Sequence, residues 1–577
     1  MQPTLQAKTQ LLASTQVKPT GELAERIRRT AVRLGQDDVY RPEWIASDIT
    51  FAYDPTPFHD WYTGHEWTWF ADVSGRYLNA VVSLAPHSGG LTPKGKEVAE
   101  LVFRNQATDG HFGPERSLES CDRSQVSGTA WMLLALPRYY ALTGDERALQ
   151  AARRLADWYA AITPYWLRPE IRGEQLEKGS YALVFSNFTH CLDGLAALYE
   201  VDPQPRYAEL ALQIARSVRS FDTEIHSHHF LASLRGMLDW HLLTGERFLV
   251  DRVAQEWGFI MEKGLLDTGG VPEAFNNPKT DEGCSEVDWV LVNLKLHQIT
   301  GRYEYLEAAE RAIHSHFFMN QAPGGGFGTW NGFHGQVGPM PPGSAGRFVE
   351  AFWCCSMHGP YGLAEVARHV YTTGADGIHV NLFLGASADI PVPGGHVRLL
   401  QTGMQYPFPG TVDLEVELQG TPEAQLQVRL PHHTPLKNAT LDGLDLPPAP
   451  RGADTLPVAV RNAGRHVLRL QFAPSVRAEP CRRPDVFGER RSLWYGPMAL
   501  GTNACPAHIV YRIDDATLAA MTPTPCNREG AFPSEIEFAL PAGDAPDFAH
   551  TRDRRHITLY PLAAHGFRKL SYLVYLF

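Results

Sequence analysis

The chain has 577 residues, 44% of them apolar and 20% charged, the composition of a folded globular protein too long for one ordinary core. Its net charge of -12 argues against a nucleic-acid or anionic-membrane partner. No run of about 20 apolar residues is present, so no membrane-spanning helix is expected, and eight cysteines in so long a chain do not make a disulfide scaffold.

Residues 1–15 are polar and lack the charged start, apolar run and cleavage site of a secretory signal, so the expected compartment is the cytoplasm. The first 50 residues read as a lead-in, with a turn at Pro19-Thr20-Gly21-Glu22 and a short helix from Leu23. From Asp72 the pattern is helical, with Tyr77-Leu78 and Val81-Val82 one turn apart. A repeating unit follows, in which one helix ends in Thr-Gly and the next begins within a few residues. It occurs at Thr143-Gly144, Thr244-Gly245 and Thr300-Gly301, with a degenerate copy at 198–202. The glycine suits a left-handed C-cap, and an acidic residue after it suits the start of the next helix. Thr373-Gly374 is read as a fourth helix end.

Helical hairpins at intervals of roughly 45–60 residues stack into an open solenoid or a closed (α/α) toroid. Spacing alone does not separate these, although His- and aromatic-rich loops at one end of the hairpins favour a toroid with a site at its mouth. After residue 376 the period changes to two. Val412, Leu414, Val416 and Leu418 alternate with Asp413, Glu415 and Glu417, and the pattern recurs at Leu426, Val428 and Leu430 and at Leu468, Leu470 and Phe472. The expected division is a lead-in and helical catalytic domain over 1–376 and an antiparallel β-sandwich over 377–577.

Three stretches carry chemistry. Cys354 and Cys355 are adjacent, which suits two sulfurs on one metal ion better than a disulfide. They precede an expected helix over 359–371. Glu282-Gly283-Cys284 precedes another helix, carrying Val287, Val290, Leu291 and Leu294. A helix N-terminus favours thiolate, and three thiolates with one carboxylate complete a tetrahedral zinc site. Each cysteine alone would read as a small buried hydrophobe. Glu273, between a glycine turn and Phe275, is a candidate proton donor or an ordinary loop carboxylate. His190, the run His226-Ser227-His228-His229, and His358 suit hydrogen bonds to sugar hydroxyls, and Trp67, Trp69, Trp330 and Trp353 suit stacking on a sugar face.

At these residues the chain resembles glycoside hydrolase family 127, the β-L-arabinofuranosidases. The carriers are Pro272-Glu273-Ala274-Phe275, Glu282-Gly283-Cys284-Ser285, Cys354-Cys355, the passage from Tyr371 through 377–383, and Trp494 to Leu500. The resemblance implies an (α/α)6 toroid followed by an antiparallel β-sandwich, and a zinc ion held by Glu282, Cys284, Cys354 and Cys355. It implies a retaining hydrolysis of a small carbohydrate, a β-L-arabinofuranoside or related unusual sugar. Cys354 would be the nucleophile, Glu273 the acid/base, and His190 and His229 the sugar contacts, with His358 a further sugar contact expected from its residue type and not from the family. Gly283 replaces the family's threonine, Ser356-Met357-His358 replaces Pro-Pro-Asn, and Thr129 stands at a family histidine. These departures touch the sugar-contacting shell rather than the metal and catalytic residues. Two rivals remain: a sugar isomerase or lyase on the same toroid, and a non-catalytic carbohydrate-binding protein with structural zinc. A homodimer through the β-domain is open, with no motif for it.

Overall fold

The computed structural model describes residues 7–37, 39–50, 69–114, 123–172, 185–223, 225–331, 347–487, 489–502, 510–511, 513–526, 535–540, 557–563, 572–573 and 575–576. Among them are twelve helices of ten or more residues. They are α1 (Gly21–Gly35), α2 (Asp72–Ser88), α3 (Pro93–Asn105), α4 (Arg123–Thr143), α5 (Glu146–Trp166) and α6 (Leu192–Val201). Then come α7 (Pro205–Ala215), α8 (Ser227–Thr244), α9 (Arg247–Phe259), α10 (Gly283–Thr300), α11 (Tyr303–Ala312) and α12 (Cys355–Arg368).

The even-numbered helices form an inner ring. Each packs on the next, and α12 packs on α2 to close it. The odd-numbered helices pack outside, with α1 against α12. The closed alternative is therefore the real one, an (α/α)6 toroid. Burial follows position. In α10 every residue from Gly283 to Gln298 is buried, as an inner helix requires, whereas α1 buries one stripe that includes Leu23, Ile27 and Leu34. Inner helices approach closely where a side chain is missing: a Cβ at Gly75 of α2 would lie 2.5 Å from the backbone nitrogen of Met132 in α4.

The stretch read as a lead-in thus supplies an outer helix of the ring. It also supplies two strands: Thr9–Leu11 pairs with Tyr371–Gly374, and Val17–Pro19 pairs with Ala386–Val392. Two readings of local structure are corrected. Thr373-Gly374 ends a strand, not a helix, and turns into the antiparallel strand Gly377–Val380. The helix placed at 359–371 begins earlier, at Cys355, and ends at Arg368.

The sandwich joins a five-stranded and a seven-stranded sheet. In the strand Thr411–Gln419, Val412, Leu414, Val416 and Leu418 are buried as the alternation requires, and they share a core with Leu426, Val428, Leu468 and Leu470. Among the described residues, pairing is antiparallel except between Gly377–Val380 and Glu423–Arg429 and between Val510–Tyr511 and Tyr575–Leu576. Beyond the sandwich, a third sheet begins at Val476–Pro480. Its strand Met498–Thr502 is buried at every position, so it carries no alternation to read.

Candidate active site

The N-terminal ends of all six inner helices supply polar groups to one buried cluster. Arg76 comes from α2, Ser127 from α4, and His190 from just before α6. His226 caps α8, and His228 and His229 lie in its first turn. Glu282 caps α10, with Cys284 in its first turn and Asp288 beyond; Cys354 caps α12, with Cys355 and His358 in its first turn. The positive dipole ends of six helices therefore favour anionic sulfur and oxygen at this mouth.

Glu282, Cys284, Cys354 and Cys355 each place one ligand atom within 4.8 Å of all the others. Cys284 Sγ is 3.5 Å from Cys355 Sγ, Cys354 Sγ is 3.6 Å from Cys355 Sγ, and Cys354 Sγ is 3.9 Å from Glu282 Oε1. Such a donor set, three soft sulfurs and one oxygen at tetrahedral spacing, is chemically fitted to a metal ion. The three thiols are not equivalent. Hydrogen bonds from Cys284 and Cys355 hold the Cys354 thiol down at about 5. Burial pushes Cys284 and Cys355 well up. Burial also opposes the charge on Glu282, but the His226 hydrogen bond and the nearby cationic groups outweigh it and hold this carboxyl at about 2.

Glu273 lies in the strand Pro272–Ala274, and its carboxylate falls within 4.8 Å of ligand atoms of His226 and Glu282. Burial, then the charge of Glu282, raises it to about 7. Its backbone is tied down on both sides. Ser227 Oγ donates to the Pro272 carbonyl, Val271 N–H donates to Glu286 Oε1 at 2.8 Å, and Phe275 N–H donates to the Ile225 carbonyl at 2.8 Å. Farther back, Asp267 accepts the Arg482 N–H at 2.6 Å and the Cys481 thiol at 3.0 Å, so the third sheet grips the same loop. Cys354 and Glu273 are only partly buried, whereas Glu282, Cys284 and Cys355 are buried outright.

The histidines form a chain. His226 Nε2 is 3.4 Å from Glu282 Oε2, His226 Nδ1 is 2.8 Å from His229 Nδ1, and Ser127 Oγ bridges His229 Nε2 at 3.1 Å and His190 Nε2 at 3.3 Å. Burial pushes His190 and His229 well below the ordinary imidazole range. His190 Nδ1 is buried with no hydrogen-bond partner among the described residues. His358 directs Nε2 to Asp288 Oδ1 at 2.9 Å and sets its ring edge-on to Trp131. Thr129 spends its hydroxyl on the Gln125 carbonyl and on Tyr159. Trp69 stacks on His229, with ring centroids 5.7 Å apart, and Trp353 is half-buried beside Cys354. Trp67 and the Trp330 side chain lie outside the described residues.

Arg76, Ser127 and Asp288 belong to the cluster and were not picked out from the sequence. Two of them carried a signal. Asp288 sits between Val287 and the apolar run Trp289 to Val292, and Asp72 and Arg76 are opposite charges one turn apart at the start of α2. His228, Asp288 and His358 form a second close group, but Asp288 is already matched by Arg235, His228 and His358.

The GH127 β-L-arabinofuranosidase catalytic domain family matches residues 52–368. A solved GH127 β-arabinofuranosidase is similar over 99% of this chain and 98% of its own, with a TM-score of 0.73 and 16% identity. The GH127 β-L-arabinofuranosidase from Geobacillus stearothermophilus T6 is similar over 97% of this chain and 99% of its own, with a TM-score of 0.72 and 17% identity. No curated protein matches the sequence.

Proposed function

Because the chain belongs to the GH127 β-L-arabinofuranosidase family and is thereby a glycoside hydrolase with a carbohydrate substrate, we propose that it is a retaining hydrolase of β-L-arabinofuranosides or closely related sugars. The division that goes with this is a catalytic unit over 1–376 and a β-sheet unit over 377–577, stitched by the strands near the start of the chain. The observation that carries the mechanism is the asymmetry of exposure. Of the clustered sulfurs only Cys354 is partly open, and it shares that openness with Glu273.

Cys354 Sγ attacks the anomeric carbon while the Glu273 carboxyl protonates the departing oxygen. Water then enters, Glu273 takes its proton, and the carbon–sulfur bond breaks with the original configuration restored. Burial suits Glu273 to start this cycle protonated. Glu282, Cys284, Cys354 and Cys355 would hold a zinc ion, which when bound supplies the positive charge that keeps the sulfurs as thiolates. His190, whose Nδ1 has no hydrogen-bond partner among the described residues, is a candidate sugar contact. His229 sits under Trp69 as a second sugar contact, and His358 supports the site through Asp288. The six described cysteines are all unbridged, which suits the cytoplasm or another reducing compartment. Among the described residues no helix is long and apolar enough to cross a membrane.

The test is a screen of nitrophenyl glycosides and arabinofuranose-containing oligosaccharides, with product configuration followed by NMR. Release of a free reducing sugar with retained configuration is expected. An unsaturated or isomerised product would move the protein to the lyase or isomerase class. Full activity of Glu273→Gln on the oligosaccharides would remove that residue from the acid/base role.

A further inference from the structure

We propose that Arg76 is a positioning residue that fixes Cys284 as a permanent sulfur ligand and thereby leaves Cys354 as the sulfur free to attack. The inference rests on the zinc reading above and extends it to a residue outside the donor set.

The ties of Arg76 among the described residues include two hydrogen bonds to side chains, a contact to sulfur and a ring contact, and its side chain is 4% exposed. Its Nε donates to Asp72 Oδ1 at 2.9 Å, and its Nη1 donates to His228 Nε2 at 3.0 Å. The same Nη1 lies 3.8 Å from Cys284 Sγ as a donor. The guanidinium carbon stands 4.2 Å from the centre of the Trp131 ring, a cation–π contact. A helix salt bridge to Asp72 would need only the first of these and could lie on a surface. Here the charged head is turned inward onto sulfur.

The orientation is set by a chain of obligate donors. A guanidinium nitrogen can only donate, so His228 Nε2 must accept and its proton must sit on Nδ1. That proton goes to Asp288 Oδ2 at 2.5 Å. Asp288 also accepts from His358 Nε2 at 2.9 Å and from Arg235, which bridges to Asp193. The His228 ring is stacked on Trp131 at 5.0 Å, so it cannot turn without breaking that stack. Arg76 is thereby aimed from behind, by His228, Asp288 and Trp131, none of which belongs to the donor set.

The consequence for the three sulfurs is unequal. The charge of Arg76 reaches Cys354 and Glu282 as well, but its N–H is directed to Cys284 Sγ, and a thiolate that accepts such a bond is a weaker nucleophile. Cys355 is fully buried and pinned by depth. Cys354 receives no guanidinium hydrogen bond among the described residues and is the open one. Charge points the same way. One carboxylate and three thiolates carry more negative charge than a divalent ion offsets, and Arg76 is a cation that faces them.

The experiment uses the full chain and four variants: Arg76→Lys, the pair Asp72→Asn with Arg76→Gln, which leaves no orphaned carboxylate, His228→Asn, and Cys284→Ser as reference. Zinc release to a chromophoric chelator, the thiolate-to-metal absorption of cobalt-loaded protein, kcat and KM separately, and thermal unfolding are measured. We expect the Asp72/Arg76 pair variant to release zinc about 10- to 100-fold faster and to shift the cobalt band toward that of Cys284→Ser. It should lose kcat with little change in KM. Arg76→Lys and His228→Asn should fall between it and wild type. Folded variants with wild-type zinc release and cobalt spectrum overturn the assignment of Arg76. Should the pair variant misfold, Arg76→Lys decides by the same two readouts. A wild type that takes up no zinc overturns the metal reading itself and this inference with it. Metal binding that is normal in every Arg76 variant sinks only the role of Arg76.

Discussion

Cys354 and Cys284 differ in setting more than in chemistry. Both are cysteines at the start of an inner helix, yet one is partly open and the other is buried against Arg76. Cys354→Ser is therefore expected to lower kcat by about 10³-fold or more, while Cys284→Ser should chiefly lose bound metal, read by elemental analysis. Glu273→Gln should cost about 10²- to 10⁴-fold on a natural glycoside. The loss in kcat/KM should be much smaller on a nitrophenyl substrate, whose leaving group needs no proton. Equal losses in kcat/KM on both would show that Glu273 does not act as the acid. The sequence placed Cys354, Cys355, Glu282 and Cys284 in one cluster because their residue types and helix-start positions suit a metal. It did not place Arg76 or Asp288, because a buried charge is defined by partners that lie far off in the chain.

At the scale of elements, the Thr-Gly joint is a reusable part. Thr300 Oγ1 donates to the Leu296 carbonyl at 2.7 Å and accepts the Arg302 N–H at 3.2 Å, and Thr143 and Thr244 make the same pair of bonds. Gly144, Gly245 and Gly301 then take φ of 70°, 77° and 72°, in the left-handed region. Gly144 has open space where a Cβ would go, so Gly144→Ala isolates the backbone cost. It should destabilise by about 1 kcal/mol in urea unfolding. Thr300→Val, which removes both bonds, should cost a similar amount, about 1 kcal/mol. The sequence showed this joint three times correctly because the cap is local. It failed at Thr373-Gly374, where the same dipeptide closes a strand pair. Two residues do not record whether the preceding segment found a helix or a sheet to pack on.

The whole molecule is braced where the third sheet meets the toroid. Arg311 of α11 makes a two-pronged bond to Glu479 at 3.1 and 2.7 Å and lies 3.8 Å from the centre of the Trp494 ring. Burial alone would raise Glu479, but Arg311 and then Arg477 outweigh it and hold the carboxyl at about 2. A carboxyl held below its ordinary 4.5 stabilises the fold above that value and loses this contribution as pH falls toward 2. The melting temperature of Glu479→Gln should therefore lie below that of wild type near neutral pH, with the gap narrowing between pH 4.5 and 2. A constant gap would mean that packing, not charge, carries the interface. Asp267 tests whether this sheet also serves the site. Asp267→Ala should leave the zinc content intact and lower kcat by about tenfold, because Glu273 loses its backing.

What the sequence determined by itself was whatever has a short-range cause. Helix caps, the switch from a 3.6 to a 2 period near residue 377, and sulfur and carboxylate at helix starts all follow from neighbouring residues. Tertiary structure decided the rest. Ring closure depends on α12 meeting α2, contacts almost 300 residues apart that no local pattern encodes. The N-terminal strands became part of both sandwich sheets because their partners, Tyr371–Gly374 and Ala386–Val392, had open edges. The ranking of the three thiols is likewise a tertiary property, since exposure and a hydrogen bond from Arg76 exist only once six helix ends meet.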